Sequence, residues 1–89
     1  IIVCADADLD QAVEATAMGA FGSTGQRCTA TSRVVIERAV YDKFVEKLLA
    51  RARKIKVGDG LEDPTAMGPV VDRNQFKSVL DMIDVGKKE

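Results

Sequence analysis

The chain has 89 residues, of which 46% are apolar, and its 13 basic and 14 acidic residues give a net charge of −1. A balance so close to neutral is not typical of a protein that binds nucleic acid or an anionic membrane. The lack of histidine excludes a Cys/His zinc site and histidine-assisted catalysis by these residues. No apolar run approaches the roughly 20 residues of a membrane span, and no secretory signal is visible, so a cytoplasmic location is expected.

The first part of the chain has the pattern of a strand, a helix and a second strand. The continuous apolar run at residues 1–5 predicts a strand that is covered on both faces. Asp8 has the position of a helix N-cap, and apolar residues follow it at helical spacing until Gly22 and Gly25 end the helix. The β-branched run at residues 32–37 predicts the second strand. This order predicts two parallel strands that are joined by a right-handed crossover.

Two further helices are predicted after the second strand. An apolar stripe from Tyr41 to Ile55 predicts one of them, and a long connection follows at residues 57–71. Asp72 is the predicted N-cap of the last helix, and Gly86 is its predicted end. The fold class is therefore α/β, with β-α-β-α-α order, a parallel strand pair and helices packed on it.

Residues 1–3 have the pattern of the middle of a strand, so the chain is expected to be part of a larger domain. An apolar strand edge without partners promotes association. We therefore expect the 89-residue chain to self-associate.

Cys28 lies just after the glycines that end the first helix. A lone free cysteine is more often a small buried hydrophobe than a nucleophile. Its position past a helix end, the nearby Gly25 and the positive charge of Arg27 favour an accessible thiolate instead. The residues alone leave the two interpretations equally supported. Cys4, at the end of the first strand, is interpreted as a buried core thiol, with a Cys4–Cys28 disulfide or a shared metal as the alternative.

A longer pattern surrounds Cys28. Its central positions are Phe21, Gly25, Gln26, Arg27, Cys28, Thr29, Ala30, Ser32 and Arg33. The flanking motifs are Ile-Val at 2–3, Asp-Ala-Asp-Leu-Asp-Gln-Ala-Val at 6–13, Tyr-Asp-Lys-Phe-Val at 41–45 and Gln-Phe at 75–76. This pattern is similar to the nucleophile segment and the flanking segments of the aldehyde dehydrogenase superfamily. The resemblance covers essentially the whole chain in the family's order and spacing.

The resemblance implies a role for Cys28 as the thiolate that attacks an aldehyde carbonyl. The resulting thiohemiacetal would lose a hydride to NAD or NADP, and water would hydrolyse the thioester. The backbone N–H of Cys28 would supply one donor to the oxyanion, and an asparagine amide would supply the other. That asparagine, the general base and the nucleotide-binding domain have no counterpart in this chain. Residues 1–89 are therefore expected to be a partial, nucleophile-bearing catalytic domain without a cofactor site, and inactive in isolation.

Arg27 and Thr29 match positions that line the aldehyde pocket in the family. The segment Gly-Gln-Arg-Cys-Thr-Ala also resembles bacterial members that act on carboxylated semialdehydes, notably 2-oxoglutarate semialdehyde. A guanidinium suits a carboxylate, so Arg27 is a candidate for recognising such a substrate. The alternative is that Arg27 points away. The resemblance also implies a homo-oligomeric parent enzyme. The rival interpretation of the chain is a stand-alone interaction or structural domain that keeps the pattern without the chemistry.

Overall fold

The computed structural model describes all 89 residues and confirms the predicted order of elements. The regular elements are strand β1 (Ile2–Val3), helix α1 (Leu9–Phe21), strand β2 (Val35–Ile36), helix α2 (Tyr41–Ala52) and helix α3 (Arg73–Lys88). Short 3-10 helices follow α1 at Gly22–Gly25 and precede α2 at Arg38–Val40. None of the helices combines the length and the apolar composition that crossing a membrane requires.

The two strands are parallel, as predicted, and Ile2 lies opposite Val35 while Val3 lies opposite Ile36. The Glu37 N–H donates to the carbonyl of Val3 over 3.0 Å. Each strand has only two residues, which is shorter than the runs at 1–5 and 32–37 predicted. The first strand stops early because the chain turns directly after Val3, where the Ala7 N–H donates to the carbonyl of Cys4.

The core lies where α1 crosses α2 above the strand pair. Asp8 caps α1, as predicted, because its carboxylate accepts hydrogen bonds from the N–H groups of Asp10 and Gln11. The buried apolar cluster consists of Val3, Val13 and Phe44. Only five of the 89 residues are buried, so most of the apolar surface of this chain remains outside its own core.

Helix α3 departs from the prediction in two ways. Asp72 is its N-cap, as expected, and accepts from the Gln75 N–H over 2.8 Å. The helix continues through Gly86 to Lys88, so the prediction that Gly86 ends it is wrong. No left-handed turn forms at Gly86, and the two terminal lysines suit the negative end of the helix dipole.

The predicted fold class, α/β with a parallel strand pair and helices, is confirmed, but α3 lies apart from the strands of this chain. None of its residues is buried, and Phe76 is 55% exposed, because no other element of the chain covers its apolar face. The radius of gyration is 14.6 Å, against roughly 12 Å for a compact domain of this length. The folded centre of the chain therefore consists of β1, α1, β2 and α2.

Candidate functional site

The chain reverses direction directly after α1 through three successive left-handed residues. Ser23, Thr24 and Gly25 have φ angles of 51°, 59° and 69°. Side chains with a Cβ rarely adopt this conformation, so two of the three positions carry local strain. The Gln26 N–H closes the reversal by donating to the carbonyl of Ser23 over 3.1 Å. The reversal places the following turn beside the end of α1.

Two glycines allow the segment to lie close to α1. A Cβ at Gly25 would lie 2.9 Å from the carbonyl oxygen of Ala20, and a Cβ at Gly19 would lie 2.4 Å from Oγ1 of Thr31. The Thr31 N–H also donates to the carbonyl of Gly19 over 3.0 Å. The segment from Ser23 to Thr31 is thus held against the helix at both of its ends.

Cys28 lies at the centre of the turn between these two attachments. The Ala30 N–H donates to the carbonyl of Arg27 over 3.0 Å, which leaves Cys28 and Thr29 as the two central residues of a four-residue turn. Cys28 is a free thiol and is exposed. Its backbone N–H has no acceptor among the backbone or side-chain hydrogen bonds of the chain. The interpretation of Cys28 as a buried core thiol is therefore wrong.

Arg27 is held by a neighbour that the sequence did not indicate as a site residue. Its Nε–H donates to Oγ of Ser23 over 2.9 Å. The hydrogen bond to Ser23 is the only one that the Arg27 side chain makes, and no ion pair includes Arg27, so its four Nη hydrogens have no protein partner. The only sequence signal for this contact is the spacing of four residues between Ser23 and Arg27.

Thr29 is the one predicted site residue that lines a cavity. It borders an open groove of about 490 Å³ whose wall also includes Ile1, Ile2, Arg33 and Val35. Cys28 and Arg27 lie on the surface outside this groove. The structure therefore brings Arg27, Cys28 and Thr29 into one turn, but it does not surround the thiol with a pocket.

Cys4 does not have the environment that the sequence predicted. It is exposed and free, because the chain turns after Val3 and carries the next residues away from the core. Cys28 is likewise free, so the two thiols do not form a disulfide. The side chains of the chain form no cluster of three or more metal-ligating groups.

The glycines before Cys28 do not fit a dinucleotide phosphate. A phosphate-binding glycine loop opens a helix, where free N–H groups point at the anion. Gly22 and Gly25 instead follow the C-terminal end of α1, where carbonyl oxygens are exposed. The residues of this chain therefore do not provide a cofactor phosphate site at this position.

These residues define a class of structure. It is a two-stranded parallel α/β unit with an exposed cysteine in a turn after its first helix. The model of the aldehyde dehydrogenase family matches residues 1–89. The chain belongs to the aldehyde dehydrogenase family.

Relatives from bacteria and animals match the whole chain. It is 49% identical over 89 residues to alpha-ketoglutaric semialdehyde dehydrogenase of Bacillus subtilis, with 100% of this chain and 18% of that protein covered. It is 50% identical over 88 residues to retinaldehyde dehydrogenase 3 of Homo sapiens, with 99% of this chain and 17% of that protein covered. The chain thus spans less than a fifth of the length of these curated relatives.

Solved structures of the family contain the same arrangement of elements. Proline utilization A from Bdellovibrio bacteriovorus superposes with a TM-score of 0.94 at 40% identity, over 99% of this chain and 9% of that chain. Betaine aldehyde dehydrogenase from Staphylococcus aureus, solved in complex with NAD+, superposes with a TM-score of 0.92 at 36% identity, over 98% of this chain and 17% of that chain. The fold of the 89 residues, including α3, is the fold of the corresponding region of these proteins.

Proposed function

We propose that this chain supplies the nucleophile of an enzyme that oxidises an aldehyde to a carboxylic acid with NAD or NADP. The observation that carries the proposal is the position of Cys28, an exposed thiol at the centre of a turn in a chain of the aldehyde dehydrogenase family. An accessible thiol is a condition for covalent catalysis. The free N–H of Cys28 supports a second role for the same residue.

The chemistry at Cys28 begins with attack of the thiolate on the aldehyde carbonyl. A C–S bond forms, and the carbonyl electron pair moves to the oxygen. The Cys28 N–H has no other acceptor in the chain, so it is free to donate to that oxyanion. Loss of a hydride from the same carbon leaves a thioester on Cys28, and water then releases the acid and the thiol. The hydride acceptor would be NAD or NADP, which parts of the enzyme outside these 89 residues would hold.

The other parts of the active site are proposed to lie outside these 89 residues. The structure forms no enclosed pocket at Cys28, and the chain spans 18% of the Bacillus subtilis relative. The complete enzyme consists of this chain together with the parts that its longer relatives have. The cofactor site, the general base and the second oxyanion donor belong to those parts, and the 89 residues alone are expected to be inactive.

Arg27 and Thr29 are proposed to contact the substrate, which is a semialdehyde with a carboxylate at its far end. The Nη groups of Arg27 have no protein partner and suit a bidentate carboxylate. The name of the Bacillus subtilis relative supports this substrate class. A relative named for retinaldehyde has similar identity, so the overall identity does not decide the substrate. The proposal of a carboxylated substrate therefore depends on the chemistry of Arg27.

The test compares cysteine variants of the complete enzyme by aldehyde-dependent reduction of the cofactor. Cys28→Ala should lower kcat/KM by roughly a thousandfold or more, because it removes the group to which the substrate bonds. Cys4→Ala is the matched control and should stay within about twofold of the parent, since Cys4 is an exposed thiol outside the turn. A Cys28→Ala enzyme with near-parental turnover would show that Cys28 is not the nucleophile. Measurable turnover by the 89-residue chain alone would show that its expected inactivity is wrong.

A further inference from the structure

We infer that Ser23 is a positioning residue that sets the substrate preference by orienting Arg27; this inference rests on the proposed role of Arg27 in carboxylate binding. The contact that carries it is the hydrogen bond from Nε of Arg27 to Oγ of Ser23, 2.9 Å long. Ser23 and Arg27 are both exposed, as is Cys28, which follows Arg27 in the chain. A free arginine side chain at such a surface would sample many rotamers.

The backbone brings Ser23 to this place at an energetic cost. Ser23 has a φ of 51°, in the left-handed region that side chains with a Cβ rarely adopt. Its carbonyl accepts from the Gln26 N–H, and its hydroxyl accepts from Arg27. One strained residue therefore fixes both the peptide between Gly25 and Gln26 and the Arg27 side chain.

The hydrogen bond also determines which edge of the guanidinium is available. Nε is occupied by Ser23, so a carboxylate can engage the two Nη atoms together, with two parallel N–H···O bonds. Arg27 and Cys28 are consecutive, with Cα atoms about 3.8 Å apart. A guanidinium held in one orientation would therefore bind a terminal carboxylate at a fixed position relative to the thiol, at a smaller entropic cost.

Lysine at position 27 would not reproduce this arrangement. Its ammonium group is a single point of charge without the planar fork, and its side chain has no Nε–H beside Ser23. An enzyme with Arg27→Lys should therefore keep the positive charge and still lose the selectivity. This variant separates orientation from charge.

The experiment measures kcat and KM of the complete enzyme for succinic semialdehyde and for propanal. Arg27→Ala should raise KM for succinic semialdehyde by about ten- to a hundredfold, because hydrogen bonds between charged groups are lost. Ser23→Gly removes the hydroxyl and tolerates the left-handed backbone. It should raise the same KM by about three- to tenfold and leave kcat and the propanal constants unchanged.

Three controls distinguish positioning from a general structural effect. Thr24→Ala alters a neighbouring left-handed residue whose side chain makes no hydrogen bond, and it should change neither KM. Ser23→Asn offers a carbonyl acceptor and tolerates a positive φ, so it should restore most of the selectivity. In the Arg27→Ala background, Ser23→Gly should have no further effect.

The outcomes separate this inference from the proposed function. If Arg27→Ala affects both substrates equally, carboxylate recognition by Arg27 is wrong and the inference fails with it. If Arg27→Ala is selective for succinic semialdehyde but Ser23→Gly leaves its KM unchanged, only the role of Ser23 is wrong. Equal effects of Ser23→Gly on both substrates, or a full additional loss in the Arg27→Ala background, would also overturn the positioning role.

Discussion

At the residue scale, the position of Cys28 depends on a few backbone angles. The exposed turn follows a reversal through three left-handed residues, of which only Gly25 lacks a Cβ. The reversal holds Ser23 against Arg27 and places the thiol in an exposed turn beside the end of α1. The strain at Ser23 and Thr24 is of the kind that persists where surrounding contacts determine the backbone.

Gly25 offers a direct test of this dependence. Gly25→Ala should lower the free energy of unfolding by roughly 1–2 kcal/mol, because alanine disfavours a positive φ and its Cβ would approach the Ala20 carbonyl. Gly22→Ala is the matched control, since a Cβ there meets no atom within 4 Å and φ is −57°. Urea denaturation measures both. Equal stability of the two variants would mean that Gly25 does not constrain the reversal.

At the element scale, ion pairs on the outside of the core join α1 to α2. Nε and Nη2 of Arg51 donate to the two carboxylate oxygens of Glu14 over 2.7 and 2.9 Å, and Lys47 donates to Asp10. The hydrogen bond from Lys47, followed by its charge, lowers the pKa of Asp10. The hydrogen bond from Arg51 lowers the pKa of Glu14, and the pKa of Arg51 is raised in return.

The lowered carboxyl pKa values predict the pH dependence of stability. A carboxyl whose pKa is lower in the folded state stabilises the fold above its unfolded pKa, and the stabilisation is lost as the pH falls through the folded pKa. Arg51→Gln should therefore be less stable than the parent at pH 7. The difference should begin to shrink near the ordinary glutamate pKa of about 4 and disappear only below the lowered pKa of Glu14.

Denaturation of parent and variant between pH 7 and pH 2 measures this difference. Glu46→Gln is the control, since Glu46 is exposed on the same helix and has no ion pair. The difference for Arg51→Gln should also shrink in high salt. A stability difference that stays constant across the pH range would contradict a role for the ion pair with Glu14.

The sequence predicted the elements whose signals are local. The N-caps at Asp8 and Asp72 and the apolar spacing of α1 and α2 depend on neighbours within a few residues, and the structure confirms them. Strand length and the exposure of Cys4 depend on where the chain turns after Val3, which no local pattern specified. The predicted end of α3 at Gly86 is wrong because a glycine ends a helix only where the backbone turns there.

The sequence predicts only part of the candidate site, because the rest depends on how the backbone turns. Arg27, Cys28 and Thr29 were found through their resemblance to a family segment, and the structure places them in one turn. The contact between Ser23 and Arg27 depends on positive φ angles at Ser23 and Thr24. Serine and threonine rarely adopt that conformation, so the presence of these residue types does not predict the reversal.

At the scale of the whole molecule, the chain has a folded centre and a large uncovered apolar surface. Phe76, Leu80 and Ile83 of α3 are 55%, 45% and 47% exposed. The same arrangement occurs as 17% of the chain of betaine aldehyde dehydrogenase from Staphylococcus aureus. We still expect the 89 residues to self-associate through such surfaces. An oligomeric state of the complete enzyme and a cytoplasmic location also stay predictions.

The most direct measurement of the central claim is the identification of the residue that carries the acyl group. The complete enzyme is mixed with aldehyde and cofactor, quenched with acid during the first turnover, digested and analysed by mass spectrometry. The peptide with Cys28 should gain the mass of the acyl group, while the peptide with Cys4 stays unmodified and serves as the internal control. An acyl group on Cys4 or another residue, or acylation that persists in Cys28→Ala, would contradict the assignment of Cys28 as the nucleophile.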